Sequence, residues 1–88
     1  MDVSVTPIAE RIARVLAAER ISANGEGEQE SASTAVDGAW KDHLPEALAV
    51  LRTLREPDQA MAAAGDVAVW ERMVRAAIET SLPPKVVM

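Results

Sequence analysis

Apolar side chains recur along this chain at helical spacing, and no stretch alternates β-branched and polar residues as a strand does. Thr6 and Pro7 supply an N-cap and a first-turn proline, whose missing N–H costs nothing there. Ile8, Ile12, Val15 and Leu16 follow on one face, and Glu10 and Arg14 form an i,i+4 pair in the favourable order. A helix over about residues 7–20 is predicted. Residues 22–33 read Ser-Ala-Asn-Gly-Glu-Gly-Glu-Gln-Glu-Ser-Ala-Ser, without a large apolar side chain, and predict a mobile acidic loop. Glu26, Glu28 and Glu30 alternate in it, but they lack the Asp-rich, Gly-centred pattern of a calcium loop.

The next apolar stripe is the clearest. At 100° per residue, Val36, Trp40, Leu44, Ala47, Leu48, Val50, Leu51 and Leu54 fall within about 160° of one helix face. This predicts a helix over residues 34–55 that bends at Pro45. The competing reading is two helices, broken before Pro45 and restarted with Asp42 as N-cap.

Glu56-Pro57 opens a short helix over 57–64 that Gly65 closes, with Ala60, Met61 and Ala64 on one side. Asp66 then caps a last helix, 67–80, ended by Leu82-Pro83-Pro84. On it Val67, Val69, Trp70, Met73, Val74, Ala77 and Ile78 span nearly 180°, while Glu71, Arg72, Arg75 and Glu79 hold the opposite face. The expected class is all-α: a single domain over residues 1–88, a small bundle of three main helices and one short one.

Composition then says what kind of core these helices can build. Apolar residues make up 49% of the 88, but 17 of them are Ala, and there is no Phe, Tyr or Cys. Such a core is narrow, and one of this size supplies only about 3–5 kcal/mol unless something staples it. Without cysteine the staple is neither a disulfide nor a thiolate metal site, which leaves a second subunit. The net charge of −5 argues against a nucleic-acid or anionic-membrane surface. No apolar run reaches the roughly 18 residues of a membrane span, and no signal-like segment opens the chain, so a cytoplasmic location is expected.

One run of residues carries a likeness. Arg55-Glu56-Pro57, then Met61, Ala64-Gly65, Trp70, Met73 and Ala76-Ala77, resembles the pattern of a family of small uncharacterised phage and alphaproteobacterial proteins. In that family an Arg-Glu-Pro-Thr segment leads to a Trp-x-x-Met-Ile-x-Ala-Ala helix, and Glu10-Arg11-Ile12-Ala13-Arg14 resembles its first helix. Asp58 and Val74 depart from the usual Thr and Ile, and Pro45 is a further candidate departure. The resemblance implies a bacterial or phage origin and carries over no catalytic or binding residue.

Candidate chemistry is sparse. His43 is the single histidine; it is placed to pair with Glu46, but zinc needs at least three convergent ligands, and no metal, cofactor or catalytic site is expected. Gly25 and Gly27 follow no strand and precede no Lys-Ser/Thr, so they form no phosphate loop. The short helix, Gly65 and the last helix imitate a helix-turn-helix, which makes a nucleic-acid-associated regulator the runner-up, although the mixed charges of the last helix would neutralise few phosphates. The leading expectation is a non-catalytic interaction or accessory protein that forms a homodimer, with room for an unidentified protein partner. Its candidate interface is Val50, Leu54, Val69, Trp70, Met73 and Ala77, because three helices cannot bury arcs this wide.

Overall fold

The structure, a computed structural model, describes residues 3–23 and 29–81, with side chains described outside 23–33. The described residues are all-α, as expected, with five helices among them: α1 (Ile8–Ala23), α2 (Gln29–Ala39), α3 (Leu44–Leu54), α4 (Gln59–Ala64) and α5 (Val67–Ser81). A 3-10 turn, Trp40–His43, joins α2 to α3. α1 lies at the centre, against α2, the 3-10 turn, α3 and α5, and α3 also packs on α5.

The single helix predicted over 34–55 is therefore corrected to two helices with a 3-10 turn between them. Pro45 is the physical cause. It has no N–H for the Lys41 carbonyl, and its ring crowds that group in a continuous helix. The Leu44 N–H takes the Lys41 carbonyl instead, one residue tighter, and Pro45 falls in the first turn of α3. His43 occupies the cap position without a side-chain cap bond, so Asp42 is not the cap.

The boundaries of the predicted loop also move. Ser22 and Ala23 belong to α1, and Gln29–Ser33 open α2. Gly25 and Gly27 are the strong helix breakers in 22–33, and the residues after them, rich in Glu, Gln and Ala, favour a helix. What remains of the predicted loop, residues 24–28, lies outside the described residues.

The buried face of α1 differs from the predicted one. Ala9, Ala13 and Ala17 are fully inaccessible and Ile21 is buried, a ridge at every fourth residue, while Ile8, Ile12 and Leu16 flank it and Val15 is exposed. Alanine lets neighbouring helices approach closely along such a ridge, so the axis of contact passes through the small residues. Beyond it the core is Leu48, Leu51, Val74 and Ile78, with Leu44, Trp70 and Ala77 packed at its edge. Arg14 ties α1 to α2: it donates to Glu10 at 2.9 Å and to Asp37 at 2.8 Å, and lies 5.2 Å from the centre of the Trp40 ring. Donation to Asp37, then to Glu10, raises the guanidinium pKa above its already high value.

α4 and α5 are capped by aspartates. The Asp58 carboxylate accepts the Met61 N–H at 2.9 Å, so α4 begins two residues later than predicted, with Pro57 outside it. Asp66 accepts the N–H groups of Ala68 and Val69 and opens α5 as expected. Gly65 has φ −159°, extended rather than left-handed, and a Cβ there would meet nothing within 4 Å.

Candidate interaction surface

α5 is strongly two-sided, but only part of its apolar arc turns inward. Val74 and Ile78 are buried, Trp70 and Ala77 sit half-buried at the edge of the core, and Val69 and Met73 stand 39% and 63% exposed. α3 repeats the arrangement, with Leu48 and Leu51 buried and Val50 and Leu54 41% and 38% exposed. Trp70 joins the two halves. Its indole Nε1–H donates to the Leu54 carbonyl at 2.6 Å, which satisfies one of the orphan acceptors at the end of α3 and fixes the ring across the α3–α5 seam. The six residues read from the sequence as an interface are thus split: four are exposed apolar side chains, and Trp70 and Ala77 form the half-buried floor beside them.

The surface extends beyond those six. Pro57, Met61, Ala64 and Val67 join Val69, Trp70 and Met73 around a groove of about 410 Å³ between α4 and α5. α4 contributes no buried residue, and its Met61 is 37% exposed. Met61 and Val67 were legible as apolar positions, but their part in the surface depends on how α4 lies against α5, which periodicity within one helix does not report.

Charges around α3 and α5 fall into two groups. Glu71 accepts from Arg55 at 3.2 Å and from Arg75 at 2.7 Å, so these three form a network across the seam. Arg72 and Glu79 are exposed on α5 and make no ion pair with the described residues. His43 meets Glu46, Nδ1 to Oε1 at 2.6 Å, at the base of α3. Among the described residues no three His, Cys, Asp or Glu side chains come together as a metal site, and no helix is long and apolar enough to cross a membrane.

What this arrangement offers is exposed apolar surface: a groove along α4 and α5, with Val50 and Leu54 exposed on α3. Comparison of the chain with models of protein families, with curated proteins and with solved structures finds no match.

Proposed function

We propose that this chain is a small helical interaction or accessory protein that works through self-association as a two-fold dimer and carries out no catalysis of its own. The observation that carries this reading is the apolar groove of Pro57, Met61, Val67, Val69, Trp70 and Met73 along α4 and α5, with Val50 and Leu54 also exposed on α3, on a molecule whose most inaccessible positions are alanines. Contiguous apolar faces of this kind mark interaction sites, and a second subunit is the staple that a small cysteine-free core lacks. The shape supports it as well. The radius of gyration is 15.5 Å and the shortest dimension 24 Å, whereas a compact 88-residue domain has a radius near 12 Å. A cytoplasmic setting and the bacterial or phage origin implied by the Arg55-to-Ala77 pattern belong to the same proposal.

A nucleic-acid role at the Gly65 corner has less support. Of the cations on α5, Arg75 is already neutralised by Glu71, and α4 presents alanines and Met61 rather than phosphate-binding groups. Sedimentation equilibrium at micromolar concentration tests the proposal. A dimer that dissociates in Met73→Glu supports it, and a clean 9.4 kDa species across the concentration range refutes it.

A further inference from the structure

The exposed stripe of α5 has a period and a charge pattern of its own. Val69, Met73, Ala76 and Thr80, all exposed, follow one another at spacings of four, three and four residues. That is the a/d seam of a helix pair, with Met73 and Thr80 at a and Val69 and Ala76 at d. In this register Arg72 and Glu79 both fall at g, on the solvent flank, and Trp70 and Ala77 both fall at e, on the flank that faces α3. The two g residues are the exposed α5 charges without an ion-pair partner among the described residues, whereas Glu71 and Arg75, off the seam, are paired within the chain.

An antiparallel pair of identical helices sets d against a and g against g. We infer that α5 docks on α5 of a second copy, antiparallel about a two-fold axis near Met73 and Ala76, with Arg72 of each copy facing Glu79 of the other. Met73 then lies over the small Ala76 of the second copy, which leaves room for its side chain, and Val69 lies over Thr80. On the e flank the half-buried Trp70 and Ala77 of the two copies meet. The C-terminal end of each α3, tied to Trp70 through the Leu54 carbonyl, lies beside that flank, making a four-helix arrangement from two α3–α5 pairs. A parallel pair would instead set Arg72 against Ala77, and neither charge would gain a partner. The self-complementary sequence of charges specifies the occupant as a second copy, since a foreign helix would have no reason to match Arg72 and Glu79 at this spacing.

The inference rests on the self-association proposed above, and the test separates the two. Wild-type protein, Arg72→Glu, Glu79→Arg, the double swap and an equimolar mixture of the two single variants are compared by sedimentation equilibrium at low salt. Circular dichroism checks that each is helical, and fluorescent labels on the two single variants report mixed dimers. Each single reversal places two like-charge contacts in the dimer and is expected to weaken it by about tenfold or more. The double swap, and the mixture of single variants, restore opposite charges at both contacts and are expected to recover wild-type affinity, the mixture as a heterodimer. A wild-type dimer that ignores the single reversals, or single variants that fail to rescue each other, overturns the antiparallel α5 seam and leaves self-association standing. A wild-type monomer at every concentration overturns both.

Discussion

Two substitutions on α1, two residues apart, separate the alanine face found in the structure from the isoleucine face that periodicity favours. Ala13 is fully inaccessible on the central helix, which packs against four other elements. Ala13→Leu adds three carbon atoms where no space faces them, and overpacking of this kind costs about 1–3 kcal/mol. Val15 is 60% exposed. Val15→Ala removes two methyl groups, worth about 0.8 kcal/mol each when fully buried, so with two-fifths burial the loss is roughly 0.6 kcal/mol. Alanine's better helix propensity returns up to about 0.7 kcal/mol, and the net change is close to zero. Urea denaturation followed by circular dichroism, at one fixed protein concentration, measures both variants. With a urea dependence of about 1–3 kcal/mol/M, the urea midpoint of Ala13→Leu should fall by about 0.3–1 M per kcal/mol lost, while that of Val15→Ala stays nearly unchanged. The reverse order, with Val15→Ala the costlier, would show that α1 is rotated about its axis relative to the arrangement described, and the close-approach argument would fail.

Leu51, 3% exposed in the cluster with Leu48, Val74 and Ile78, is expected to cost about 2–5 kcal/mol as Leu51→Ala in the same urea assay. Gly65→Ala is expected to stabilise the protein by about 0.4–1 kcal/mol, because its backbone is extended and a Cβ meets nothing, so the residue's freedom matters mainly in the unfolded chain. In a mobility-shift assay with random duplex fragments at physiological salt, no binding is expected. Micromolar binding that weakens steeply with salt and is lost on Arg72→Ala with Arg75→Ala would favour the helix-turn-helix alternative.

The all-α class, the Asp66 cap and the wide arc of α5 were legible because each is written locally, whereas Pro7 stands before α1 rather than in its first turn and Asp58 rather than Pro57 opens α4. Asp66 before an apolar run is a cap wherever it occurs, and the inward Val74 and Ile78 share a stripe with the outward Val69 and Met73. Three features were not legible, for separate physical reasons. At Pro45 the sequence allows either a kink or a break, and the choice depends on whether another donor takes the Lys41 carbonyl; Leu44 does so through a 3-10 turn. On α1 the hydrophobic scale favours Ile8, Ile12 and Val15 over alanine, but contact distance between helices is set by the smallest residues, and these follow the Ala9-Ala13-Ala17 row. For the candidate surface, the exposure of Val50, Leu54, Val69 and Met73 follows from excess arc width, but Met61 and Val67 join Val69 and Met73 only through the groove that α4 forms with α5.

Among the described residues the fully inaccessible positions are all alanines while several large apolar side chains stay exposed, and that has a measurable consequence. Ala9, Ala13, Ala17 and Ala47 occupy its inaccessible positions, while Val50, Leu54, Val69 and Met73 remain in contact with water. A buried alanine removes a single methyl group from solvent, about 0.8 kcal/mol, whereas a valine, leucine or methionine fully covered contributes about 1.5–3 kcal/mol. If a second copy covers the α3–α5 face, a large share of the stability therefore comes from association, and the folded dimer must unfold to two free chains. Its melting temperature then rises with protein concentration. A tenfold increase adds about 1.4 kcal/mol to the dimer, against an unfolding entropy near 0.37 kcal/mol/K for two such chains, and shifts the midpoint by about 4 °C. Differential scanning calorimetry from a few micromolar to a few hundred micromolar measures the slope. A midpoint that does not move over that range would mean that the alanine-lined core holds the fold by itself and that the exposed face contributes nothing to stability.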